Sequence, residues 1–166
     1  MTRFAYFMSA YFAAMATIIT AFVHPAPRLI WNASASVPIG LYALHRGASR
    51  SGSLVAIVPP AALADYLARR HYLPLGVPML KHVAARDGQR VCRVGDTVSV
   101  DGQMVGRALA RDRRGRSLPV WRGCVTLDAR HIFVMNAGVR DSFDGRYFGL
   151  LPASAIVGDL TPIWTR

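Results

Sequence analysis

The sequence predicts a mainly β domain, with a short α segment inside it, carried behind an N-terminal transmembrane helix. Three observations point there. Positions 4 to 23, FAYFMSAYFAAMATIITAFV, form an uncharged run of about the length a helix needs to cross hydrocarbon. Beyond it the apolar runs are short, about five residues each, and are broken by Gly, Pro and Asp-Gly turn chemistry. The chain has 166 residues, enough for one core of ordinary size and little more.

Taken in order, Arg3 precedes the apolar run and His24, Pro25 and Arg28 follow it. A cleaved export signal has a shorter apolar stretch and a small-x-small site, and no convincing site follows Val23. The reading is therefore an uncleaved anchor over residues 1–24, with its helix at about 4–23 and its N-terminus held on the cytoplasmic side by Arg3. Residues 25–166 form the exported domain, and Pro25 to Arg28 are a linker. Strands are expected at Leu54 to Val58, Met79 to Ala84, Thr97 to Val100 and His131 to Met135. Asp101-Gly102 marks a tight hairpin after the third of these. Pro59 and Pro60 open a helix expected over Ala61 to Arg70. The proline-broken stretch His71 to Met79 is either a half-exposed apolar flap or a packed loop.

Composition narrows the function. Net charge is +11, and its densest run is Arg107 to Arg116, RALARDRRGR. That run has neither interleaved aromatics nor a docking motif, which argues against nucleic acid as a partner and for a solvated loop near anionic lipid headgroups. Of the 20 basic residues only Lys81 is lysine. Arginine keeps its proton under nearly all conditions, whereas a buried lysine can release it and act as a base. Cys92 and Cys124 can pair in an oxidising compartment or remain two buried thiols.

Three stretches carry chemistry. From Asn32 to Tyr42, small residues surround Ser36, while Pro38 and Gly40 set a turn that can expose its hydroxyl. Around Lys81, strand alternation places Met79, Lys81 and Val83 on one face, so the ammonium sits among apolar groups that lower its pKa. A neutral amine near Ser36 could take the hydroxyl proton, the Ser-Lys form of nucleophilic catalysis. The third stretch runs from Phe133 to Pro152 and holds Ser142, Asp144, Arg146 and Gly149 in a Ser-x-Asp-x-Arg-x-x-Gly pattern. With these residues in place, the chain resembles the type I signal peptidase superfamily, and most closely its conjugal transfer branch, the TraF type. The serine box is matched by Ser34, Ser36, Pro38 and Gly40, the lysine box by Lys81 to Val91, and the third box by the pattern just given, in the family's order.

The resemblance implies a signal-peptidase-like antiparallel β domain in the periplasm, tethered to the inner membrane of a bacterium. It implies Ser36 as nucleophile and Lys81 as general base, with no cofactor and no metal. Ser34 would offer a hydroxyl to the oxyanion beside the Ser36 backbone N–H, Ser142 would aim the lysine amine, and Asp144 and Arg146 would form a supporting ion pair. The implied substrate is a conjugative pilin precursor, trimmed or cyclised, with other components of the conjugation or type IV secretion apparatus as further partners. The sequence departs from the common pattern at His82, at Ala85 to Gly88 and at Asn136 to Gly138, which favours a dedicated substrate over generic signal peptides. Rival readings are a housekeeping signal peptidase, a non-catalytic assembly module, and a Ser-His-Asp hydrolase. The five histidines, His24, His45, His71, His82 and His131, stand in no triad signature, and with Cys92 and Cys124 they lack zinc-ligand spacing.

Overall fold

A computed structural model describes residues 2–22, 28–47 and 49–166. Its element order is α1 (Arg3–Phe22), β1 (Leu29–Asn32), β2 (Gly40–His45), β3 (Leu54–Ile57), α2 (Ala61–Arg69), β4 (Met79–Ala85), β5 (Arg90–Val94), β6 (Thr97–Val100), β7 (Gln103–Arg107), β8 (Gly123–Thr126), β9 (His131–Met135), α3 (Gly145–Phe148), β10 (Leu151–Pro152) and β11 (Ile156–Thr165). The domain is mainly β, as the short apolar runs foretold. Val23 to Pro27, which hold the end of the expected anchor and most of the expected linker, lie outside the described residues.

Helix α1 forms over 20 residues, about 30 Å of length at 1.5 Å per residue. Among the described residues no helix is long and apolar enough to cross a membrane. The Ser9 and Thr17 hydroxyls turn back onto the carbonyls of Ala5 and Ala13. Phe4, Phe7, Phe12, Ile18 and Ile19 are all exposed.

Two antiparallel sheets make the domain. The larger has seven strands in the order β1-β2-β11-β3-β4-β9-β10, and the smaller has four in the order β7-β6-β5-β8. The period of two along a strand explains the layering. Val55 and Ile57 of β3, Met79 and Val83 of β4, and Ile132 and Val134 of β9 turn to one face, where Leu67 of α2 covers them. Ala56 and Leu80 turn to the other face and pack with Val37, Tyr42 and Leu160. A third cluster, with Ala85, Val91, Val98, Phe133 and Met135, joins the two sheets.

Local chemistry places the elements. Pro60 is the N-cap residue of α2, and the helix ends one residue short of the expected Arg70. Asp101 and Gly102 both have positive φ, 50° and 81°, and join Val100 to Gln103 in the two-residue hairpin that this pair favours. The stretch from His71 to Met79 is a packed wall: Tyr72 and Leu73 lie against the core, while Leu75 and Val77 stay exposed. Cys92 of β5 and Cys124 of β8 face each other directly and are joined by a disulfide.

Candidate active site

The loop between β1 and β2 carries Ser34 and Ser36, and Asn32 at the end of β1 shapes it. Its Oδ1 accepts the Ser34 backbone N–H at 3.1 Å and the Ser34 hydroxyl at 2.9 Å. Its Nδ2 donates to the carbonyls of Ser34, Val37 and Pro38 at 2.7 to 3.0 Å. Such a self-bonding asparagine builds a turn without a ladder. Tyr42 adds a hydroxyl donation to the Pro38 carbonyl at 2.6 Å. Gly40 lets the loop close onto the C-terminal strand, because a Cβ there would stand 2.0 Å from the Trp164 carbonyl oxygen. The Ser34 and Ser36 hydroxyl oxygens are 3.1 Å apart. Since Ser34 spends its proton on Asn32, Ser36 is the donor in that pair.

Lys81 lies on β4 between Met79 and Val83, facing the α2 side of the sheet, and is only 5% exposed. Its Nζ donates to the Ser142 hydroxyl at 2.8 Å. Burial pushes its pKa down from 10.5 to about 8, against the pull of Asp144 and with a smaller push from Arg146. A meaningful fraction of the amine is therefore unprotonated near neutral pH.

The third stretch explains how Ser142 is held. Asp144 caps the short helix α3 and grips Arg146 through two oxygens, with Nε–Oδ1 and Nη2–Oδ2 both at 2.9 Å. The pair is buried, 0% and 2% exposed. Burial works against the Arg146 charge, but the hydrogen bond and charge of Asp144 outweigh it and hold its pKa above the usual value. Arg146 Nη2 then donates to the carbonyls of Val139, at 2.7 Å, and Ser142, at 3.1 Å, so the ion pair fixes the loop that presents the Ser142 hydroxyl. Gly145 is needed because a Cβ there would meet the Val134 carbonyl oxygen at 2.7 Å.

Ser36, Lys81 and Ser142 line one cleft of about 760 Å³, walled by Leu67, Tyr72, Leu73, Phe143 and Tyr147. Phe143 stacks on Tyr66 and Tyr147. At its rim, Tyr72 donates to Asp112 at 2.5 Å and Asp112 also holds Arg116 at 2.7 Å, which latches the 71–78 wall to the arginine-rich loop. Among the described residues no histidine bonds a serine: His131 pairs with Asp128, and His82 meets Asn136.

Two site residues escaped the sequence reading. Asn32 was only the edge of a serine-rich stretch, although an asparagine ending a strand before small residues is a turn signal. Asn136 stood out merely as a departure from a familiar pattern. It is 3% exposed and bonds to the carbonyls of both Ser36 and Leu80.

The chain is similar to known proteins over most of its length. The family described as signal peptidase, peptidase S26, matches residues 1–165. The conjugal transfer protein TraF of Agrobacterium fabrum is 32% identical over 145 residues, 81% of each chain. The probable conjugal transfer protein TraF of Sinorhizobium fredii is 40% identical over 139 residues, 76% of this chain and 72% of that one. The plasmid transfer protein TraF of Escherichia coli is 30% identical over 144 residues, 81% of each chain. A solved signal peptidase I from Enterococcus faecalis aligns with a TM-score of 0.42 at 19% identity, covering 70% of this chain and 100% of that one. With a family match along nearly its whole length, this chain belongs to the signal peptidase family, peptidase S26.

Proposed function

We propose that the protein is a membrane-anchored serine endopeptidase that matures a conjugative pilin precursor with Ser36 as nucleophile and Lys81 as general base. The observation that carries this reading is a buried lysine, depressed to a pKa of about 8, whose amine bonds the Ser142 hydroxyl in the cleft that Ser36 also lines. The conjugal and plasmid transfer names of the relatives support the substrate class.

In the resting arrangement the Ser36 proton points at Ser34. Turning about its Cα–Cβ bond, the Ser36 hydroxyl gives that proton to Lys81 as its oxygen attacks the scissile carbonyl. The Ser34 hydroxyl then leaves Asn32 and, with the Ser36 N–H, donates to the oxyanion. Protonated Lys81 hands its proton to the leaving amine, and an ester on Ser36 remains. Water, or the N-terminal amine of the pilin, attacks that ester; Lys81 takes the proton of the attacking group and returns it to Ser36. A cyclised product is one water lighter than the trimmed linear chain.

Several features support a site beside the bilayer. The apolar side chains of α1 point outward on several sides, as suits a helix surrounded by lipid. Thirteen positions separate Val23 from Ser36, at most about 43 to 47 Å of extended chain. Leu29, Trp31, Ile163 and Trp164 are exposed near the start of the domain, with the two indoles stacked at 6.0 Å, a composition suited to the headgroup layer. The Cys92–Cys124 disulfide fits an oxidising, periplasmic compartment.

The test is mass spectrometry of pilin from conjugating cells. Cells with the parental enzyme should yield the processed subunit and cells with Ser36→Ala the full precursor. Full processing by Ser36→Ala would remove catalysis from the protein's role, and restored growth of cells depleted of their own leader peptidase would make it a general signal peptidase.

A further inference from the structure

Asn136 follows β9 at the point where the pairing of β9 with β4 stops, His82 facing Met135 being the terminal pair. Its side chain continues the ladder. Nδ2 donates to the Leu80 carbonyl at 3.2 Å, and Oδ1 accepts the His82 backbone N–H at 3.1 Å. Those two groups flank Lys81, so one amide grips β4 on either side of the base.

The same Nδ2 sends its other hydrogen to the Ser36 carbonyl at 2.8 Å, across 100 positions of sequence. No other hydrogen bond among the described residues joins positions 33–37 to β4 or β9. The backbone N–H of Asn136 is itself held by Asp144 Oδ2 at 3.1 Å, which ties the amide to the ion pair that fixes Ser142. At 3% exposure the side chain is shielded from competing water.

Resting on the Ser36/Lys81 reading above, we infer that Asn136 is the positioning residue that sets the approach of Ser36 to Lys81, by fastening the nucleophile loop to the backbone on both sides of the base. Asn32 shapes the loop from within, and Asn136 docks it. An alanine leaves the Ser36 carbonyl, the Leu80 carbonyl and the His82 N–H without their shared partner, and the loop is free to shift by a fraction of an ångström to an ångström. A displacement of that size at a reacting atom costs about a hundredfold in rate. The loosened loop also lets water reach the amine, which bonds Ser142 and lies in the field of Asp144 and Arg146.

The experiment uses the full chain in detergent with the pilin precursor as substrate, product being quantified by mass spectrometry and rates normalised to folded protein. For Asn136→Ala the expected result is a kcat about 30- to 100-fold lower, KM within about twofold, and an acid limb of the kcat/KM profile displaced to higher pH. Asn136→Ser, which keeps a single short donor, should recover part of the kcat, and it decides the matter by the same readouts if the alanine variant does not fold. A kcat per folded molecule equal to the parental value overturns the inference, as does a loss accompanied by an unmoved pH limb, because a purely structural role predicts fewer folded molecules with unchanged chemistry. Ser36→Ala run alongside separates the two levels: if it still processes pilin the peptidase reading fails, and if it is inert while Asn136→Ala is fully active only the docking role fails.

Discussion

The two halves of the cleft are built to opposite specifications. The base half is dry: Lys81, Ser142, Asp144 and Arg146 are each no more than 5% exposed and are locked by a bidentate ion pair. The nucleophile half is open: Ser34 is exposed and Ser36 half-buried, on a loop held by hydrogen bonds from Asn32 and Asn136 and rooted in the core through Val37. The difference suits the roles proposed for the two groups. An amine becomes a base at neutral pH only if burial penalises its charged form, whereas a hydroxyl that attacks a polypeptide must be reachable by it.

The contrast breaks most completely at Lys81. Lys81→Met should lower kcat by about 10³- to 10⁴-fold, while stability rises. The folded amine binds its proton less tightly than the unfolded one, so below about pH 8 the charged lysine costs about 3 kcal/mol, one pKa unit being about 1.4 kcal/mol. Loss of the Ser142 hydrogen bond offsets about 1 kcal/mol of the gain. A net increase of about 2 kcal/mol in urea denaturation at pH 7 is expected, and in the parental enzyme stability should rise with pH between about 8 and 10.5.

On the open side, Ser34→Ala removes a donor to the oxyanion and should cost about 10²- to 10³-fold in kcat with little change in KM. Next comes acidity itself. With Lys81 as the proposed general base the neutral amine is the active form, so kcat/KM should rise with pH up to about 8 and level off above it, falling about tenfold for each unit below. Ser142→Ala leaves the lysine buried but unaimed, and about a tenfold loss in kcat is expected. The disulfide belongs to neither half. Replacing Cys92 and Cys124 by serine should leave kcat within about twofold, yet lower stability by about 3 to 4 kcal/mol in denaturant titration, as expected for a closed loop of this length.

The same contrast explains what the sequence revealed. Lys81 and Ser36 stood out because the chemistry proposed for them is inherent in their residue types, and β4, β6 and β9 were legible because their apolar residues are consecutive or alternate. Strand β5 was not, since its pattern is inverted: Val94 is 72% exposed while Arg93 is buried and donates to the Arg146 carbonyl. Strand β8 is exposed along its whole length and is held by pairing and a sulfur bridge, which leaves no hydrophobic signal. Asn136 was illegible for a further reason: an amide acquires its role only from the carbonyls folding brings to it, here 56 and 100 positions away.

A solitary amine in so secluded a place is also a ready-made reporter. Incorporating isotope-labelled lysine would give a single side-chain nitrogen resonance for the whole molecule, free of overlap. Its titration would display the proton affinity of the reactive centre directly, and its perturbation on adding pilin would register occupancy without any turnover.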